Sequence, residues 1–200
     1  MFTGIIQAIG QIKTKDTHDK GAVFSFASDG LDFSNVAIGD SIAVNGVCLT
    51  AIEITDNSFK ADLSQETLDC SIFGDLSVGD DINLEKALKL NQGIDGHLVS
   101  GHVDGQGEVV DRAIQGESTR FKISAPQNLV KYIARKGSIT INGVSLTVNS
   151  IDANVFDVNI VPHTLTATTL GQLSIGNQVN LEVDLIARHL EQLLNNNKSS

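Results

Sequence analysis

Alternation dominates the chain. "SFKADL" (58–63) and "VFDVNIV" (155–161) set apolar and polar residues in turn, the two-residue period of a half-buried strand. "SIAVNGVCLTAIEI" (41–54) is built of short β-branched stretches broken at Asn45-Gly46, a hairpin turn signal that returns at Asn142-Gly143. Gly39-Asp40, Gly79-Asp80 and Gly176-Asn177 mark turns just before further strands. One segment departs from this period. "DLIARHLEQLLNNN" (184–197) carries Ile186, Leu190, Leu193 and Leu194 on one helical stripe, and Asp184 is placed to cap its start. Two shorter stretches, "SQETLDCSIFG" (64–74) and "VPHTLTATTLG" (161–171), read as short turns linking strands. Ser64, Glu66 and Thr67 look like a helix start, and Pro162 sits where a first helical turn tolerates proline.

The pattern is written twice. Shifted by 97 positions, the chain falls on itself without gaps, and 41–85 matches 138–182 at 19 of 45 positions. "VNGVCLT" (44–50) lies on "INGVSLT" (141–147), and "GDLSVGDDINLE" (74–85) on "GQLSIGNQVNLE" (171–182). The start follows the same offset, with Gly4 on Gly101 and Gly10 on Gly107. That period is far longer than the ~20–50 residues of a solenoid unit and matches a small domain. The expected architecture is all-β: two tandem, homologous, six-stranded Greek-key barrels, which leave no open edges. The expected division is 1–97, 98–185 and a C-terminal helix and tail at 186–200. The tail helix has no copy in the first half. Its stripe has two ways to be covered, by its own barrel or by the same helix of other subunits.

Composition narrows the function classes. Lys and Arg total 14 against 24 Asp and Glu, a net charge of −10, which excludes the basic footprint of a nucleic-acid binder and disfavours anionic membranes. No apolar run has the length of a membrane span, and "MFTGIIQAIGQIK" has no basic stretch leading into an apolar one, so no secretion signal is expected. Two cysteines, Cys48 and Cys70, are too few for a disulfide scaffold and fit a reducing, cytoplasmic setting. His97 and His102 lie five apart in "GHLVSGH", but no cysteine or carboxylate cluster completes a metal site there.

"MFTGI", "NGVCLT", "ETL", "DGHLVSGHVDG" (95–105), "KGSITINGVSLTVN" (136–149), "PHTL" with "TTLG" (162–171) and "VNLEVD" (179–184), in that order, resemble the riboflavin synthase family over nearly the whole chain. Two details depart from the family pattern: Gln65 stands where it often has proline, and Asp95 precedes Gly96-His97 where it has a second glycine. The resemblance implies a homotrimer joined through C-terminal helices, an association with lumazine synthase, and no metal or organic cofactor. It implies that two molecules of 6,7-dimethyl-8-ribityllumazine react, one donating a four-carbon unit to the other. The products are riboflavin and 5-amino-6-ribitylaminouracil.

A dismutation of two identical molecules needs sites alike in recognition and unlike in chemistry. Gly4 and Gly101 are candidates for close backbone approach to a flat ring. The hydroxyls of Thr50, Thr147, Thr67 and Thr164 suit a ribityl chain, and Leu49 and Leu146 suit a heterocycle. The resemblance extends the binding set to Ile5, Ile6 and Val103, to Asp62, Leu63, Ser64, Gln65 and Glu66, and to Lys136. In the second copy it adds Asn159, Val161, Pro162, His163, Leu165 and Thr166. The unshared positions are candidates for chemistry: Ile5 becomes His102, Cys48 becomes Ser145, Asp62 becomes Asn159, Ser64 becomes Val161, Glu66 becomes His163 and Ala87 becomes Asp184. Of these, His102 suits proton transfer near neutral pH. Cys48 is a nucleophile or polar contact that needs activation. Ser41 and Thr147 are placed to orient water, and Asp184 is a catalytic acid or a helix cap. The competing reading is a non-catalytic lumazine- or flavin-binding protein, like the fluorescent antenna proteins of luminous bacteria. Both intact copies of "NGV(C/S)LT" favour the enzyme over it.

Overall fold

The computed structural model describes residues 1–197, with side chains through 194. Two closed, antiparallel, six-stranded barrels follow one another. The first comprises β1 (Ala8–His18), β2 (Gly21–Ala27), β3 (Ser41–Val44), β4 (Val47–Ile54), β5 (Ser58–Ser64) and β6 (Asp81–Lys86), joined around the barrel as β1-β2-β5-β4-β3-β6. The second comprises β7 (Gly105–Gln115), β8 (Ser118–Ser124), β9 (Ser138–Ile141), β10 (Val144–Asp152), β11 (Val155–Ile160) and β12 (Gln178–Val183), in the same spatial order. The long connection that brings β2 beside β5 rather than β3 makes each a Greek key.

Local sequence explains the elements. Asn45 and Gly46 both have positive φ, as do Asn142 and Gly143, the geometry of the tight hairpin turns that join β3 to β4 and β9 to β10. The inward residues of the alternating strands fill the barrels: Phe24, Phe26, Phe59 and Phe73 form an aromatic cluster in the first, and Phe121, Phe156, Ile139 and Leu181 lie in the core of the second. Register shifts also repeat, between Ile12 and Thr14 and again between Val109 and Asp111. The two turn-like stretches are six-residue helices. The first, α1 (Gln65–Cys70), is capped by Ser64, whose oxygen accepts from the Thr67 amide. The second, α2 (Pro162–Ala167), replaces that cap with Val161 and starts on Pro162.

A seam of buried asparagines joins the barrels. Asn83 Nδ2 donates to the Asn142 carbonyl and Asn180 Nδ2 to the Asn45 carbonyl, both at 2.9 Å. The Oδ1 of Asn83 accepts from the Thr169 amide, and that of Asn180 from the Ile72 amide, both at 2.8 Å. Every bond has its copy at the 97-residue offset, so the barrels are related by a local twofold. At its centre the two hairpin turns touch: a Cβ on Gly46 would lie 2.7 Å from the Gly143 nitrogen, and the converse holds equally.

The terminal helix α3 (Leu185–Asn197) begins on Asp184, whose carboxylate accepts from the Ile186 amide. Its polar side faces the second barrel, with Arg188 bonded to Asp104 at 2.5 Å and Glu191 bonded to Lys131 and Tyr132. The apolar stripe is not covered by its own barrel: Ile186, Leu190, Leu193 and Leu194 are 59%, 54%, 62% and 61% exposed. Residues 198–200 of the expected tail lie outside the described residues. No helix among the described residues is long and apolar enough to cross a membrane.

Removing either seam amide strands a buried carbonyl and a buried N–H. Asn83→Ala and Asn180→Ala are each expected to cost about 2–4 kcal/mol, with similar values because the surroundings are duplicated. Chemical denaturation of both variants checks this, and a several-fold inequality contradicts the symmetric seam.

Candidate functional site

Each barrel is completed by the other copy's leading segment. Residues 2–6 precede the first barrel yet reach the second: the Ser145 amide of β10 donates to the Gly4 carbonyl at 2.8 Å, and Ile6 packs against the second core. Residues 99–103 precede the second barrel yet reach the first: the Cys48 amide of β4 donates to the Gly101 carbonyl at 2.8 Å, and Val103 packs against the first core. The segments meet where Phe2 and Val99, equivalent positions in the two copies, pair as an antiparallel bridge.

Two buried glutamates hold the crossing. Glu85 accepts from the Thr3 amide and hydroxyl at 2.7 Å and from the Gly4 amide at 3.0 Å. Glu182 does the same for Ser100 and Gly101 at the same distances. Burial pushes both carboxyls above the ordinary glutamate range, against the opposing pull of these donors. The glycines that follow have positive φ, and their close approach is to protein: a Cβ at Gly4 would lie 2.6 Å from Ser145 Cβ, and one at Gly101 2.6 Å from Cys48 Cβ.

The crossing builds a cleft of about 290 Å³ at the first barrel, lined among others by Cys48, Glu66, Thr67, Cys70, His102 and Val103. Its walls come from β4, from α1 and from the second copy's leading segment. Two thiols, a hydroxyl, a carboxylate and an exposed imidazole thus meet beside apolar Val47 and Val103. At the equivalent place in the second barrel stand Ser145, His163, Thr164, Gly4, Ile5 and Ile6. His97, in the connection between the barrels, adds a bond at this place: its Nδ1 lies 2.7 Å from Ser145 Oγ. Burial lowers the His97 pKa, with Asp184 pulling weakly the other way.

The structure thus brings Cys48, Glu66, Thr67, Gly101, His102 and Val103 together on one cleft. Thr50 on β4 is paired with Ser41 on β3, next along the strand from the cleft, and Thr147 is paired with Ser138 in the same way. Asp62 and Ser64 alternate outward on β5, while Leu63 between them points inward. Leu49 and Leu63, expected near a ligand, have their side chains inside the barrel core at 4% and 2% exposure, whereas Leu146 is half-buried. Gln65 bonds Asp69 on α1, and Asn159 bonds Gln115 on the far side of β11. Val161, Pro162, His163 and Thr166 are exposed at α2, with Leu165 packed on the core. Lys136 is exposed in a positive-φ turn, where the first copy has Gly39. Asp184 caps α3.

Sequence reasoning passed over Glu85 and Glu182, and it named His97 and Cys70 without placing them in the site. The two glutamates lie in the twice-written "NLE", a signal that was visible; Cys70 carries no spacing signal. Among the described residues no group of three or more His, Cys, Asp or Glu is arranged to hold a metal ion.

Known proteins agree with this geometry. The model of the lumazine binding domain matches twice, at 3–87 and 100–184. The riboflavin synthase of Photobacterium phosphoreum is 46% identical over 97% of this chain and 89% of its own length. That of Photobacterium leiognathi is 45% identical over the same shares. The crystal structure of LumP complexed with 6,7-dimethyl-8-(1'-D-ribityl) lumazine superposes with a TM-score of 0.82 at 27% identity, covering 92% of this chain and 99% of that one.

Because the leading segments cross, a change in one copy is felt in the other's cleft. Glu182→Gln replaces one of two acceptor oxygens by a donor facing an amide, releasing Gly101 and His102. It is expected to weaken ligand binding at the first barrel about tenfold or more while sparing the second. Calorimetric titration with the lumazine checks this; equal weakening of both equivalents contradicts it.

Proposed function

We infer the activity from one premise: the chain belongs to the riboflavin synthase family, whose lumazine-binding domain it carries twice. The reaction is the dismutation of two molecules of 6,7-dimethyl-8-ribityllumazine. Four carbons pass from one to the other, giving riboflavin and 5-amino-6-ribitylaminouracil. The observation that carries this reading is the pair of equivalent places, each closed by the other copy's segment, with Cys48 in one and Ser145 in the other. Duplicated backbone geometry suits two copies of one ligand, and the swapped side chains suit two different jobs.

The chemistry needs little beyond alignment. Holding two reactants in attacking geometry is worth up to about 7–11 kcal/mol. A proton must leave the acidic methyl group at C7 of one lumazine, and a nucleophile must add to the other. His102, exposed on the first cleft, is the proton carrier at that half, with Cys48 and Thr67 as polar contacts. Ser41 and Thr147 orient water, and Thr50, Thr164 and the α1 and α2 hydroxyls bind the ribityl chain.

On this reading the reacting pair is brought together between neighbouring subunits, the first half-site of one facing the second half-site of the next. The uncovered stripe of α3 supplies the contact, and three copies around that helix make the assembly a homotrimer. Association with lumazine synthase would shorten the path of a diffusing intermediate. The structural likeness to LumP keeps one second reading in play, a non-catalytic lumazine binder.

Mixing the purified protein with the lumazine, without added cofactor, is expected to yield riboflavin absorbance and, under non-turnover conditions, two bound ligands per chain. Stable fluorescence of unconverted lumazine supports the second reading instead. His102→Ala is expected to lower kcat by about 10²-fold with a smaller effect on binding. Leu190→Glu is expected to dissociate the assembly and abolish turnover while both binding equivalents remain, as read by ultracentrifugation and titration.

A further inference from the structure

We propose that the groove on the local twofold of the seam is a second ligand site, and that it takes a small hydroxylated organic ammonium ion of the amino-alcohol or amino-sugar kind. The groove has a volume of about 400 Å³, the size of a small-molecule site. It is lined by equivalent residues of both copies and by none of those on the Cys48 cleft. Its centre is formed by the two touching hairpin turns. There Asn45 and Asn142, 2% and 3% exposed, each accept a backbone amide on Oδ1, from Asn83 and Asn180. Their Nδ2 groups meet no protein acceptor among the described residues. Thr169, 6% exposed, lines the same groove, and its buried Oγ1 also lacks a partner. The first copy has Ile72 at this position, so the fold does not demand that hydroxyl. Three nearly enclosed polar groups without protein partners call for an occupant that offers oxygen to them.

The walls set the charge of that occupant. The first copy contributes Asp75, Asp80 and Asp81 where the second contributes Gln172, Asn177 and Gln178, so carboxylates line one side and neutral carboxamides the other. The turn before each last strand shows what the exchange does. Asp80 Oδ2 accepts from the Ser77 amide at 2.8 Å, and Asn177 Oδ1 accepts from the Ser174 amide at 2.7 Å. The same turn is thus held in both copies, and it leaves a carboxylate oxygen over in the first and an N–H donor in the second. Gln172 Nε2 donates to Asp81 Oδ2 at 2.9 Å, which ties the two walls together. A ligand that suits both ends carries a cationic N–H donor toward the aspartates and oxygens toward Asn177 and the central asparagines. Leu76 and Leu173, equivalent in the two copies, flank its carbon skeleton. The aspartates are not arranged as a metal cage, and they suit an ammonium group instead.

The test uses the full chain and does not depend on turnover. The probe is 2-amino-1,3-propanediol, with glycerol as its neutral twin and glycerate as its anionic one. In a heteronuclear NMR titration near neutral pH, the side-chain amides of Asn45 and Asn142 and the backbone amide of Thr169 are expected to shift saturably with the ammonium probe. Glycerol is expected to bind about fivefold more weakly, the worth of one partly exposed ion pair, and glycerate to leave these signals unmoved. Asp80→Asn writes the second copy's residue into the first and keeps an acceptor for the Ser77 amide. Its thermal midpoint is expected to match the wild type, while the ammonium probe loses its advantage over glycerol. Thr169→Val removes the unpartnered hydroxyl without opening a cavity and is expected to weaken both probes about threefold or more. Equal affinity for the ammonium probe and glycerol in the wild type overturns the proposal, as does unchanged affinity in Thr169→Val. Saturable shifts at Cys48 and His102 in place of the groove overturn it too. No saturable shift at the groove shows that it holds water only, and likewise overturns the proposal.

Discussion

The obligation to satisfy buried backbone groups across the seam governs this molecule. Two closed barrels have no free edges with which to join, so they are linked through amide side chains and through short leading segments instead. Asn83 and Asn180 each reach a carbonyl of the opposite hairpin and a backbone amide of the opposite copy, that of Thr169 or Ile72. Glu85 and Glu182 fix the start of each leading segment so that its next carbonyl meets the opposite β4 or β10. All four side chains are buried, and truncating any of them would leave a costly unpaired atom in the closed seam. The geometry of the clefts is a by-product of that satisfaction.

The clefts inherit likeness from the backbone and difference from side chains. Carbonyl, glycine and strand positions repeat at the 97-residue offset, so the same backbone shape is presented twice. The chemistry differs at Cys48 and Ser145, at Ile5 and His102, and at Glu66 and His163. The connection between the barrels adds an inequality outside the repeat, since it delivers His97 to one side alone. Duplication thus repeats one backbone shape, while a few exchanges and one connecting segment make the two places chemically unlike.

Much of this was legible in the chain. The two-residue period, the Asn-Gly turns and the offset match led to the barrels, and the stripe from Ile186 to Leu194 led to the helix. The stripe also left its own covering open, and its exposure settled that against the adjacent barrel. Cys48, Thr67 and His102 were found by comparing the copies, and they share a cleft. What escaped was everything that depends on which copy a segment touches. Gly4 and Gly101 signalled close approach, but the object approached is a strand of the other barrel, because positive φ and a missing Cβ say nothing of what stands opposite. Leu49 and Leu63 were grouped with neighbours in sequence although alternation turns their side chains to the inner face. The twice-written "NLE" was noticed as a match and not as a clamp, since a buried asparagine or glutamate on a strand declares its partner only in three dimensions.

The crossing of the leading segments has a consequence for synthesis on the ribosome. Phe2 is fully enclosed in the finished molecule, yet the strand that receives its neighbour Gly4 begins only at Val144. At about 5–20 residues per second, the ~140 residues between Gly4 and that strand take many seconds to translate. Gly4 and Ile6 therefore stay without their partners on the second barrel throughout that interval, and the crossing closes only after most of that barrel has been made.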